Sequence, residues 1–356
     1  MRILVATDAW IPQTNGVART LSALAKGLQG HGAEVELLTP EGMPTIGRVA
    51  LPNPCGIAAR IAASRPDAIH IATEGPIGLA TRWHCGARGL PFTTSIHAGF
   101  ADDVAARWPL AARLGWSWLR WFHNAGRGTM AATASLAEEL AARGFRSVLR
   151  WPRGVDAALF RPRRNASLGL LRPIFLAAGP LVAAENIAAF LALDLPGTKV
   201  VVGEGPERNA LARLCPKAIF LGAMHGDDLA RIYAAADVLV APSRVDTAGL
   251  TLLEALACGT PIAGYPVAAM RDAVGDAPVA ALDGDLLAAC LRALALSRTA
   301  CRAFAETMSW DASARCFLDN VARAGTVIPS IEAPSIVASP PAAARAARKS
   351  TAPAIG

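Results

Sequence analysis

Short apolar runs alternate with longer amphipathic stretches along most of this chain. RILVAT at residues 2–7, EVELLT at 34–39, AIHIAT at 68–73, FTTSIH at 92–97 and TMAATA at 129–134 are too brief for helices. Several lack the polar alternation of a half-exposed strand, so they read as buried parallel strands. Between them, VARTLSALAKGLQG at 17–30 repeats its apolar positions every three or four residues, the period of a helix packed on one face. The pattern restarts at Pro173 with IFLAAG, a helix from about Asn186, KVVVGEG, AIFLGA, a helix over Leu229 to Ala235, and a further strand from Val238. Strand and helix in alternation predict an α/β protein of two doubly wound, Rossmann-like units, at 1–165 and 173–308. The Pro- and Arg-bearing stretch Arg161 to Arg172 links them. A last helix covers about 312–325, and the Pro-, Ala- and Ser-rich segment 328–356 has no apolar periodicity and reads as disordered.

The segment Ala236 to Pro266, ADVLVAPSRVDTAGLTLLEALACGTPIAGYP, carries the most chemistry. Val238 to Ala241 is a short apolar run stopped by Pro242 and Ser243, and Thr251 to Cys258 is helical in composition and stops at Gly259 and Pro261. Asp246 to Gly249 therefore lies in a strand-to-helix loop. Backbone N–H groups at the start of the following helix have no intrahelical partners and carry partial positive charge, so Thr247, Gly249 and Leu250 can receive a phosphate, with Gly249 allowing close approach. Glu254 could accept hydrogen bonds from ribose hydroxyls. Asp246, eight positions earlier, projects toward whatever the diphosphate carries.

This segment resembles SRTDTFGLVLLEALACGTPVA of the retaining glycosyltransferases of family 4, whose hallmark is an acid pair at this spacing. TDAWIPQTNGVARTL at 7–21, IHIATEGPIG at 69–78, RGVDAALFRP at 153–162 and VVGEGPERNAL at 201–211 add to the likeness, which covers roughly residues 1–325. One such segment is weak evidence, but five in order across two halves are not. The resemblance implies a GT-B fold, two Rossmann-like domains facing across a cleft, with the helix at about 312–325 returning to the first. It also implies transfer of a sugar from a nucleoside diphosphate to a lipid or envelope-glycan acceptor, as in bacterial lipid and cell-envelope glycosyl- and mannosyltransferases. No metal or cofactor is expected. Asp246 and His97 would act at the sugar, Glu254 at the ribose, and Gly16 at the diphosphate from the first domain. Gly205 and Arg208, in the turn after KVVVG, would line the donor pocket, and Arg244 stands beside the acid pair. Ala223 and Met224 would meet the nucleobase through their backbone.

The residues alone leave alternatives. Asn15 and Gly16 also suit an ordinary helix start. His97 ends an apolar run, where open α/β sheets put ligands, yet lone histidines are often structural. Glu204 to Glu207 form a Gly-bearing turn that either walls the pocket or only connects strand to helix.

The chain also departs from the family. A donor-domain segment resembling VGRVAVEKNIEAFL normally supplies an arginine and a lysine that clamp the diphosphate. Here Pro180 replaces the arginine and Glu185 the lysine, while Ala248 stands where phenylalanine is usual. Arg19, Arg208 and Arg244 are the candidate substitutes. Two classes of function follow: an active transferase, or a catalytically impaired relative that binds or regulates.

Composition narrows these further. The 356 residues exceed one ordinary core. No stretch of about twenty residues is free of charge, and no secretory signal opens the chain, which predicts a cytoplasmic protein. Seven cysteines without pairing or C-x-x-C spacing read as small buried apolar residues. The net charge of +7 concentrates partly in RWPLAARLGWSWLRWFHNAGR at 107–127. Its Arg107, Arg113, Arg120 and Arg127 interleave with Trp108, Trp116, Trp118, Trp121 and Phe122, suiting either an anionic membrane surface at the inner face or an amphipathic helix turned to the core. No nucleic-acid module accompanies them.

Overall fold

In a computed structural model, residues 1–10, 16–47, 49–97, 109–164, 166–244, 249–326 and 328 are described. Asp246, Thr247, Ala248, Trp108 and the tail beyond 328 lie outside them. The first half holds β1 (Arg2–Ala6), β2 (Glu34–Leu38), the small antiparallel pair β3 (Thr45–Ile46) and β4 (Val49–Ala50), β5 (Ala68–Ile71), β6 (Thr93–Ser95), β7 (Gly128–Ala131) and β8 (Val148–Arg150). Apart from that pair they form one parallel sheet, ordered β2-β1-β5-β6-β7-β8. The second half holds β9 (Ile174–Ala178), β10 (Thr198–Val202), β11 (Ile219–Phe220), β12 (Val238–Ala241), β13 (Ile262–Gly264) and β14 (Ala280–Leu282). They form a second parallel sheet, ordered β11-β10-β9-β12-β13-β14. Both orders reverse beside their first strand, and a crevice opens at the carboxyl ends of strands where that happens.

Burial explains the strand composition. Ile3, Leu4 and Val5 of β1 and Phe175, Leu176 and Ala177 of β9 are enclosed on both faces by helices. The helix Trp310–Arg323, capped by the Ser309 hydroxyl on the N–H of Ala312, leaves the second domain and lies on the first. There its Ala314, Phe317 and Val321 join Ile3, Leu21, Leu24 and Trp151 in one cluster. Polar contacts also join the domains, two of which link helices. Arg19, on the helix Gly16–Gly30, pairs with Glu254 on the helix Leu250–Ala257. The Asp272 carboxylate accepts from the N–H of Ser135 in the first turn of the helix Ala134–Ala142, where a negative charge offsets the helix dipole.

The cysteines require a correction. Cys85, Cys258, Cys290 and Cys301 are buried, but Cys55 is exposed in the first turn of the helix Pro54–Ser64. The aromatic helix, Pro109–His123, divides its tryptophans. Trp116 and Trp118, each partly buried, pack on the cluster around Leu119, Leu140 and Phe145. Trp121 is 54% exposed, with the Arg82 guanidinium 3.6 Å from its ring centroid. Among the described residues no helix is long and apolar enough to cross a membrane.

Candidate functional site

A cavity of about 470 Å³ opens between the two sheets at the carboxyl ends of β9 and β12. Ala178, Gly179 and Pro180 form one wall and Ala241, Pro242 and Ser243 another. Gly203 allows β9 and β10 to close on each other behind them: its φ is +143°, and a Cβ there would collide with the carbonyl of Gly179.

Among the helices that begin at this cavity, two come from opposite domains. Gly249, extended at φ −79° and ψ 162°, precedes the helix Leu250–Ala257, and among the described residues no side-chain cap is found there. Gly249, Leu250, Thr251 and Leu252 line the cavity from there, and Gly16 lines it where the helix Gly16–Gly30 starts in the other domain. The positive ends of these two helix dipoles thus face one space, an arrangement that attracts anions.

Glu254 is one turn further along its helix, only 3% exposed. One carboxylate oxygen accepts from Arg19, and the hydroxyl of Tyr233 lies 3.5 Å from the other. Arg19 and Tyr233 both line the cavity, so the carboxylate sits behind its two partners.

Pro180 and Glu185 line the wall as well. Glu185 ends the short turn Ala183–Glu185, and it does not cap the helix Ile187–Leu191, whose start has no side-chain cap. Burial pushes its carboxyl above the ordinary carboxylate range. Ala223 and Met224 are on the wall beside Gly203 and Glu204.

Three residues named from the sequence are placed elsewhere. Gly205 packs against the backbone of Leu181, where a Cβ would clash, and is not on the wall. Arg208 turns toward Glu204, 3.3 Å away and one helical turn back. Arg244 stacks on Tyr265 with its guanidinium 4.0 Å from the ring centroid. Among the described residues lining the cavity, Arg19 is the one arginine or lysine.

His97 belongs to a second polar cluster in the first domain. Its Nε2 is 3.1 Å from the Ser95 hydroxyl, its Nδ1 accepts from Arg153 at 3.0 Å, and it does not line the cavity. Burial first, then the charge of Arg153, holds its pKa well below the ordinary value, so it is neutral. His70, enclosed on β5, is pulled down to about 3 by burial and by Arg153. His123 joins Glu74 at 3.0 Å and the Thr94 hydroxyl at 2.8 Å. Arg153 and Tyr233 went unrecognised in the sequence, although RGVD contains the first. Among the described residues no group of three potential metal ligands forms.

Residues 14–159 match the family described as Glycosyltransferase Family 4, and residues 175–297 match that described as Glycosyl transferases group 1. The chain is 29% identical over 310 residues to a GDP-mannose-dependent alpha-mannosyltransferase of Mycolicibacterium smegmatis, covering 77% of this chain and 82% of that protein. In fold it is similar to sucrose-phosphate synthase of Thermosynechococcus elongatus, with a TM-score of 0.74 at 18% identity over 90% of this chain and 98% of that one. It is also similar to an Anabaena protein solved with UDP and glucose, with a TM-score of 0.67 at 14% identity over 90% and 99%.

Proposed function

The chain belongs to the family 4 glycosyltransferases and has their GT-B architecture, and from that premise we propose that it moves a hexose from a nucleoside diphosphate to a lipid or envelope-glycan acceptor with retention of configuration. The convergence of two helix N-termini on one interdomain cavity carries this reading. The amino ends of the two helices hold the diphosphate, Glu254 takes the ribose hydroxyls, and Asp246 reaches the sugar. His97, neutral and hydrogen-bonded on both nitrogens, orders the acceptor side rather than carrying a proton. The reaction then needs no protein nucleophile: the acceptor attacks on the face the diphosphate leaves, and the leaving oxygen removes the acceptor's proton. GDP-mannose, the donor named for the Mycolicibacterium relative, is the first candidate.

A second reading is a donor-binding protein without turnover. Pro180 and Glu185 on the wall favour it, because a carboxylate there opposes the charge that grows as the glycosidic bond breaks.

Thermal shift against guanosine and uridine diphosphates and their sugars separates donor binding from none, because a ligand of the native state raises its melting temperature. Release of nucleoside diphosphate from the bound donor then separates the transferase from the second reading. The anomeric linkage of the product, read by NMR, tests retention. Silence toward every nucleotide would sink both readings.

A further inference from the structure

We propose that Arg19 is the cation of the donor site: it holds Glu254 while no donor is bound and passes to the diphosphate when ribose takes Glu254. This rests on the donor reading above. The position where a family clamp would place its two cations is here a proline and a carboxylate, Pro180 and Glu185, both on the cavity wall. Among the described residues, a dianionic diphosphate facing Glu185 meets no arginine or lysine of its own domain on the cavity wall. Of the three arginines that stand near in sequence, Arg208 is paired with Glu204 and Arg244 lies on Tyr265, and neither lines the cavity. Arg19 does, one turn into the helix whose first residue, Gly16, is on the same wall.

The Arg19 pairing also governs access. Glu254 is 3% exposed and does not itself line the cavity, whereas Arg19 and Tyr233, which contact its two oxygens, do. Ribose hydroxyls therefore reach Glu254 only by displacing the guanidinium. The displaced group remains on a helix that opens onto the phosphate space, and a guanidinium presents parallel N–H donors that match a phosphate as well as a carboxylate. One cation thus has two successive anionic partners, and the exchange uses the first domain to complete a site the second leaves unneutralised. No covalent step is involved. When the sugar–phosphate bond breaks, the negative charge growing on the diphosphate strengthens its contact with Arg19, a gain made in the transition state.

Calorimetry of the full-length chain with guanosine and with GDP tests this, using wild type, Arg19→Ala and Arg19→Lys. Because a nucleoside carries no phosphate, Arg19→Ala is expected to leave guanosine affinity unchanged or raised, since competition for Glu254 is removed. GDP affinity is expected to fall about 10- to 100-fold, the worth of a charged hydrogen bond. Arg19→Lys keeps the charge and recovers part of the loss even if the alanine variant folds poorly. Donor turnover falls about 10²–10³-fold in Arg19→Ala, and adding Pro180→Arg with Glu185→Lys restores part of it. Equal losses for guanosine and GDP, or no loss for either, would overturn the proposal by reducing Arg19 to a support for Glu254. Wild type that binds neither guanosine and GDP nor uridine and UDP, with which the same comparison is run, would instead overturn the donor reading and this inference with it.

Discussion

Arg153 donates through Nη2 to Nδ1 of His97 at 3.0 Å, which makes Nδ1 the acceptor and leaves the imidazole proton on Nε2. That nitrogen points to the Ser95 hydroxyl, 3.1 Å away, and the same hydroxyl lies 3.2 Å from Nε2 of His70. One serine hydroxyl thus lies between two neutral histidines and the carbonyl of Ala72, to which it donates. Arg153 also rests on Trp151, its guanidinium carbon 4.4 Å from the ring centroid. Replacing Arg153 by methionine removes both a cation and the donor to Nδ1, so the His97 pKa is expected to rise, though not to its ordinary value because burial persists. Arg153→Lys retains most of the Coulombic effect. Nitrogen-15 chemical shifts of the imidazole across pH report both the charge and the tautomer, and an unchanged titration in Arg153→Met would show that Arg153 has no hold on His97.

Stability in acid follows from the same cluster. His70 and His97 are neutral in the folded chain, the first with a pKa of about 3 and the second well below its ordinary value. The unfolded chain binds a proton at each below about pH 6.5, so it holds more protons than the native state and stability falls as pH drops. Each histidine removes about 1.4 kcal/mol per pH unit within that window, which ends as pH passes the folded pKa. Urea denaturation at pH 7.5 and pH 5 is expected to show a large loss for the wild type and a smaller one for His70→Gln. A flat profile between those values would mean that both histidines are protonated in the native state.

Strand positions with four or five consecutive apolar residues were legible in the sequence because burial on both faces leaves no other reading. β8, β13 and β14, three residues each, were not, and they are recognisable only beside their neighbours in the sheets. The run FTTSIH shortens to Thr93–Ser95 as the chain turns out toward His97. At the site, Gly16, Pro180, Glu185, Gly249 and Leu250 reach the cavity from motifs that fix backbone position. The arginines resisted prediction because a long side chain goes to its best local partner: Glu204 for Arg208, Tyr265 for Arg244, and a carboxylate in the opposite domain for Arg19. Arg153 was invisible for the opposite reason, being enclosed where sequence expects no charge.

The domain-crossing helix depends on a backbone contact that a methyl group would block. A Cβ on Gly154 would lie 2.5 Å from the backbone nitrogen of Trp310 and 2.6 Å from the carbonyl carbon of Ser309, next to the bridge between Val155 and Ser309. Backbone cannot yield as a flexible side chain does, so Gly154→Ala is expected to destabilise by about 1–3 kcal/mol, the usual range for overpacking. Chemical denaturation measures it, and a change near zero would mean that the two segments separate without cost.

Contact with a membrane, if the acceptor is a lipid, falls to the exposed aromatics and not to the whole helix. Among the described residues, Trp121, Trp83 at 67% exposure and Leu114 at 73% are large apolar groups left outward on this helix and its neighbour. Trp83→Ala with Trp121→Ala is expected to reduce flotation with anionic liposomes while leaving the melting temperature nearly unchanged. Trp116→Ala or Trp118→Ala, which cut into the cluster around Leu140, are expected to lower stability instead. Flotation indifferent to Trp83 and Trp121 would remove this face as a docking surface.

Glu254 and Asp246 are expected to separate under mutation even though one motif contains both. Glu254 is enclosed, with Arg19 and Tyr233 at its two oxygens, so its carboxylate is held in one geometry before a nucleotide arrives. A fixed acceptor of ribose hydroxyls contributes about 1.5–3 kcal/mol through charged hydrogen bonds, equivalent to about 10- to 100-fold in affinity. In the proposed reading Asp246 reaches the sugar and not the nucleotide. Glu254→Ala should therefore weaken binding of nucleoside diphosphate itself, whereas Asp246→Ala should leave that affinity nearly intact and flatten the preference among donor sugars. Arg19 complicates the first variant, because removing its partner frees the guanidinium for the diphosphate and offsets part of the loss. The nucleoside alone should then suffer more from Glu254→Ala than the diphosphate does. Calorimetry of both variants with nucleoside, nucleoside diphosphate and nucleotide sugar resolves these terms, and equal losses in the two variants would dissolve the division of roles between the acids.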